Sequence, residues 1–156
     1  IRTQQSRSAM DMVSELGGAP TPIPWGELYT ALSQGTVDGA GNNLPSFDTG
    51  RHMEVCKYFI QSGHVRVPDL MVISDATWKS LTPQQKAWLE EAAREATEYQ
   101  IKLWQQAEAE SRKKAEAAGV EFIPVDKQAF AKKLEPMRKN QPEPIKKLIH
   151  EIEEVK

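Results

Sequence analysis

The stretch Leu81-Thr82-Pro83-Gln84-Gln85-Lys86-Ala87-Trp88 decides the reading of the fold. Threonine at the cap, proline at the first helical position and glutamine three residues after the cap together form a helix-start signature. From Gln84 to Ala118 no proline or glycine interrupts, and Gly119 supplies the stop. The predicted helix has roughly 35 residues, about 50 Å at 1.5 Å per residue. Trp88, Ala92, Ala96, Tyr99, Leu103 and Ala107 recur at helical spacing and form one apolar stripe. Being rich in alanine, that stripe would make a weak coiled-coil seam. A helix this long overreaches the small layer that the preceding residues can build. It is expected to span two lobes, of which this chain supplies mostly one.

The residues before it alternate short strand-like and helix-like pieces. Ile1–Gln4 reads as a strand, and Ser8–Leu16 as a helix with Met10, Val13 and Leu16 on one side, stopped by Gly17-Gly18. Three prolines keep Pro20–Pro24 extended and out of a central strand position. Trp25–Ser33 reads as a short helix with Leu28, Tyr29 and Leu32 as its apolar face, ended by Gly35. Val37–Asn42 reads as a strand followed by a loop to Gly50, with Met53–Ile60 and Leu70–Ile73 as further strand or strand-plus-turn candidates. Beyond the long helix come a strand at Val120–Ile123 and a helix capped by Asp126 that runs to Lys139 with a kink at Pro136. A charged helix follows Pro144. Such alternation indicates an α/β layer fold. Three segments follow: an α/β piece over 1–74, helices over 75–118, and a strand with helices over 119–156 that packs back on the lobes.

Composition excludes several classes. With 39% hydrophobic and 27% charged residues and a net charge of −2, the chain has no basic field for nucleic acid. No apolar run approaches the ~20 residues of a membrane-spanning helix. No signal peptide is legible, and the opening directly on a strand reads as the interior of a longer protein. The single cysteine, Cys56, reads as a structural thiol, since no histidine partner is legible nearby. Phosphate loops, HExxH, GxSxG and paired-cysteine metal spacings are all missing, so neither a catalytic pair nor a cofactor is expected.

What remains is a set of polar and aromatic groups at strand ends, where open α/β sheets place ligands. Arg2 lies in the first strand with Gln4 just beyond it; Asn42 and Asn43 follow the Val37–Gly41 segment; Trp25 follows the proline-rich stretch. An arginine grips a carboxylate with two parallel hydrogen bonds. Asparagine offers donor and acceptor together. An aromatic ring gives a flat apolar wall, and the set describes a site for a small polar anion. Each residue also has a plainer reading: Arg2 as a surface charge, the asparagines as turn formers, Trp25 as core.

At these residues the sequence resembles a known family. Ile1-Arg2-Thr3-Gln4-Gln5-Ser6, Leu16-Gly17-Gly18-Ala19-Pro20-Thr21-Pro22, Gly26-Glu27-Leu28-Tyr29-Thr30-Ala31-Leu32, Gly35-Thr36-Val37-Asp38-Gly39 and Glu54-Val55-Cys56-Lys57-Tyr58 are similar to TRAP-transporter solute receptors. So are Trp78, Leu81-Thr82-Pro83, the long helix and Ala118-Gly119-Val120, in the family's order and spacing. The resemblance covers nearly the whole chain but only the C-terminal half of the family pattern. It implies a periplasmic-binding-protein-like receptor whose two lobes, joined by a long helix, close on an organic acid and hand it to membrane permease subunits. It implies as partners the N-terminal half of the same protein and a small acid. Two alternatives stand beside it: an α/β enzyme acting on a small acid with its catalytic lobe outside this chain, and a module that self-associates or swaps a lobe through the stripe of the long helix.

Three site residues carry over by resemblance: Arg2 as the carboxylate-binding arginine, Asn42 in Asp38-Gly39-Ala40-Gly41-Asn42, and Trp25 where phenylalanine is more usual. His64 falls at a family histidine near the site. Gly41 stands where an acidic residue is common, and Asn43 replaces a frequent proline. Asn42-Asn43-Leu44-Pro45-Ser46-Phe47, with His52 and Glu54 downstream, resembles members that bind sugar acids such as uronates.

Overall fold

Two prolines flanking a parallel register shape the first layer. The computed structural model describes residues 1–65 and 67–155; positions 66 and 156, inside the first and third sequence segments, lie outside it. Strand β1 (Arg2–Thr3) leads into helix α1 (Arg7–Glu15), closed by Gly17 at φ +92° and by the Gly18 N–H on the Val13 carbonyl. Strand β2 (Thr21–Pro22) then pairs parallel with β1, Arg2 opposite Thr21 and Thr3 opposite Pro22. The ladder bonds come from the Thr21 and Ile23 N–H groups, so the missing N–H of Pro22 costs nothing. On its other side β1 bridges Ala40, with the Arg2 N–H donating to the Gly39 carbonyl at 2.8 Å. The Val37–Asn42 strand expected from sequence is therefore reduced to this one bridge, although Val37 itself is buried.

A 3-10 turn at Trp25–Glu27 opens into α2 (Leu28–Ser33), which Gly35 ends at φ +70°. Its buried face is Leu28 and Ala31, while Tyr29 turns outward and donates its hydroxyl to Glu54. Of the expected apolar face, Leu28 is buried and Leu32 half-buried, and Tyr29 alone is exposed. The segment read as a loop to Gly50 is instead helix α3 (Leu44–Thr49). Asn43 caps it by accepting from the Ser46 N–H at 2.8 Å, and Pro45 sits in its first turn. A 3-10 turn at His52–Glu54 and strand β3 (Tyr58–Ile60) follow, so Met53–Ile60 is strand only at its end. Leu70–Ile73 forms no strand, and its side chains stand exposed. Val72 and Ile73 favour extension, but a strand needs a partner edge, and none of the described residues supplies one there.

Helix α4 (Asp75–Ser80) precedes α5 (Pro83–Ala117), which runs for 35 residues. The capping box is complete: Thr82 Oγ1 accepts from the Gln85 N–H, and the Gln85 side chain accepts from the Thr82 N–H at 2.9 Å. Gly119, at φ +78°, ends it. Strand β4 (Glu121–Ile123) pairs parallel with β3. Asp126 caps α6 (Lys127–Lys139), which continues unbroken through Pro136, and α7 (Glu143–Glu154) closes the chain.

The core gathers where the end of α5 meets α3 and β3–β4: Phe47, Ala115 and Val120 are buried, with Met53, Cys56, Phe59 and Phe122 packed against them. Burial raises the Cys56 thiol's pKa, the opposite of what a nucleophile needs. By contrast, Trp88, Tyr99 and Leu103 of the α5 stripe are exposed, Trp88 at 64%. The helix is anchored at its C-terminal end and exposes the large apolar residues of its stripe along the rest.

Candidate functional site

Strand geometry sends the Arg2 and Thr3 side chains to opposite faces of β1. Arg2 is 8% exposed, and its Nε donates to the Ile23 carbonyl at 2.9 Å, which fixes the guanidinium plane at the exit of β2. Burial lowers its pKa, yet an arginine remains a cation at neutral pH. No carboxylate among the described residues forms an ion pair with it. A buried cation without an anion is costly. The surface-charge reading of Arg2 does not fit its burial.

The β1–Ala40 bridge brings the 39–42 segment alongside Arg2. Asn42 Oδ1 accepts from the Asn43 N–H at 3.0 Å, while its Nδ2 is buried without a partner among the described residues. A buried donor left unpaired costs free energy that a ligand acceptor would recover. His64 stands on the same segment's flank: a Cβ at Gly41 would lie 3.8 Å from its Nε2. Its Nδ1 meets Ser62 Oγ at 2.5 Å, its ring stacks on Phe130, and burial lowers its pKa. His64 is thus a neutral ring beside the asparagine.

Trp25 follows Ile23 and Pro24 directly, so the carbonyl that holds Arg2 also delivers the indole. At 46% exposure Trp25 is no core residue. Its ring meets the edge of His52 at 5.1 Å between centroids and 62° between planes. The structure therefore brings Arg2, Trp25, Asn42 and His64 to one end of the β2–β1–Ala40 layer. Gln4 lies past the end of β1, exposed, its carbonyl accepting from the Ser6 N–H. Asn43 Oδ1 accepts from the Ser46 N–H and so caps α3.

Two buried polar residues lie outside the candidate set, although His52 enters the resemblance downstream of Asn42-Asn43-Leu44-Pro45. His52 is 3% exposed at the back of this cluster, its pKa lowered by burial and then by the Arg2 charge. Among the described residues Thr3 Oγ1 is buried without a partner on the opposite face of β1. Neither burial is marked locally; both follow from contacts between distant segments. Shallow concavities lined by Ile73, Asp75 and Trp78, and by Glu15, Ala129, Lys132, Lys133 and Pro136, share no residue with the cluster. Among the described residues no group of His, Cys, Asp or Glu converges to hold a metal ion.

Residues 1–143 match the family described as bacterial extracellular solute-binding protein, family 7. A solute-binding protein of Chromohalobacter salexigens is 34% identical over 88% of this chain and 41% of its own length. A periplasmic TRAP solute-binding protein from Xanthobacter autotrophicus, solved with bound β-D-galacturonate, is 37% identical with a TM-score of 0.90, over 97% of this chain and 51% of that one. Another from Pseudomonas putida, solved with D-glucuronate, is 35% identical with a TM-score of 0.92, over 99% and 51%. The chain spans about half the length of these relatives. In sequence and in fold alike, the chain belongs to the family 7 extracellular solute-binding proteins.

Proposed function

We propose that this chain is part of a periplasmic TRAP receptor, not an enzyme, which binds a sugar acid of the uronate class and delivers it to membrane permease subunits. The observation that carries the reading is Arg2: buried, pinned through Nε, and facing no carboxylate among the described residues. Its terminal nitrogens suit a carboxylate held by two parallel hydrogen bonds. The unpaired Asn42 Nδ2 suits a second oxygen, and the exposed Trp25 indole suits the apolar face of a sugar ring. Uronates are bound in several of the related structures. The same reading gives the exposed length of α5 its partner, the remaining half of the receptor.

Calorimetry on the complete receptor with D-glucuronate and D-galacturonate tests this. Arg2→Ala is expected to cost about 2–5 kcal/mol of binding, because it leaves the ligand carboxylate unpaired. Arg2→Lys keeps the charge but not the fork and should recover part of that loss. Unchanged affinity in Arg2→Ala would sink the assignment.

A further inference from the structure

Trp25 presents a problem of orientation. It sits at the start of a short 3-10 turn with its indole half in solvent, so the buried core does not fix its rotamer. The aromatic contact that meets it is His52, edge-on at 5.1 Å. His52 is itself held from behind, with the Phe47 ring 6.4 Å away at 66°. Gly50 closes the bracket: a Cβ there would lie 2.9 Å from both Cε1 and Nε2 of the His52 ring and 2.8 Å from the Ser46 carbonyl oxygen. Gly50 has φ −78°, a conformation open to any residue, so the glycine serves space and not backbone freedom.

We infer that His52 is a positioning residue of the ligand site: its buried ring, given room by Gly50, holds the Trp25 indole as the wall beside Arg2. This rests on the reading of Arg2 and Trp25 as ligand contacts. A neutral ring suits the task. Burial and the nearby guanidinium both disfavour an imidazolium, so the ring meets Trp25 without a charge that would draw in water. Edge-to-face pairs of this kind are specific in geometry, which a plain aliphatic filler is not. Through this contact His52 sets how closely a sugar ring can approach the indole once its carboxylate is on Arg2.

The test is a double-mutant cycle in the complete receptor, read by calorimetry with D-glucuronate. His52→Ala should weaken binding about tenfold, the scale of one aromatic pair. His52→Phe restores an edge against the indole and should recover most of that loss. In a Trp25→Ala background, His52→Ala should cost no more than about twofold further, because its effect passes through the indole. If His52→Ala does not fold, His52→Leu fills the space without an aromatic edge, with the same loss and the same dependence on Trp25 expected. Costs that add in the double variant, or no loss in the singles, overturn the inference while Arg2→Ala still abolishes binding. A wild-type receptor blind to both uronates overturns the inference together with the functional reading beneath it.

Discussion

At the scale of single residues, the two histidines behind the site make stability depend on pH. Burial lowers the pKa of His52 and His64 below the ordinary histidine value of 6.5. The sign follows from linkage. Above pH 6.5 both states hold these rings neutral and they contribute no pH dependence. Below it the unfolded chain takes up protons that the folded state resists, so stability falls as pH drops from 6.5 toward the folded pKa values. Thermal melting of the complete receptor should show the midpoint declining through that window. His52→Phe, which removes one of the two groups, should flatten the decline; an unaltered slope would mean that the ring is solvated. Residue chemistry was partly legible. Type and position make Arg2, Asn42 and Trp25 candidates, each with a plainer reading beside it, and the family resemblance is what singles them out as a set. The same resemblance touches His52, but its contacts with Trp25 and Phe47 are encoded by no local pattern.

At the scale of elements, caps were readable and pairings were not. Thr82 with Gln85, Asp126 and Gly119 act within a few residues of themselves, and each does what its type prescribes. The Val37–Asn42 segment has the composition of a strand, yet its fate depends on how much of β1 is free to pair, and one bridge is all it receives. Helix α3 carried a signature like that of α5, Asn43 with Pro45 against Thr82 with Pro83, but six residues give no periodicity to confirm it. What holds α3 is tertiary. Asp48 Oδ2 accepts from Ser111 Oγ at 3.1 Å and from Lys114 Nζ at 2.8 Å, tying α3 to the anchored end of α5. Ser111 is buried and Lys114 is largely exposed, so the two bonds differ in worth. Asp48→Ala strands the buried Ser111 hydroxyl and should cost about 1–3 kcal/mol in urea denaturation. Lys114→Ala should cost less than about 1 kcal/mol, and Asp48→Asn, which still accepts, should restore most of the loss. Equal costs for the Asp48 and Lys114 substitutions would assign the lock to charge instead.

At the scale of the molecule, the length of α5 and the position of its core contacts have to be explained together. Ser111 and Ala115 are buried near its end, whereas Trp88, Leu89, Tyr99, Ile101, Leu103 and Trp104 stand exposed along the rest. Contiguous exposed apolar surface of this kind marks an interface. Under the proposed function the occupant of this face is the other half of the receptor, since the chain spans about half the length of the relatives it matches. A second copy of this chain, through self-association or a swapped lobe, is the competing occupant. The two make opposite predictions. If the rest of the receptor covers this face, Trp88→Ala in the complete protein opens a cavity and should cost about 3–5 kcal/mol in urea denaturation. The complete protein should then sediment as a monomer at every concentration. If copies of the chain cover it, the complete protein should dimerise, and Trp88→Ala should shift that equilibrium toward monomer while leaving the unfolding midpoint of the monomer unchanged. Sedimentation and denaturation on the same two samples separate them, and the large cost in a monomer is the expected result.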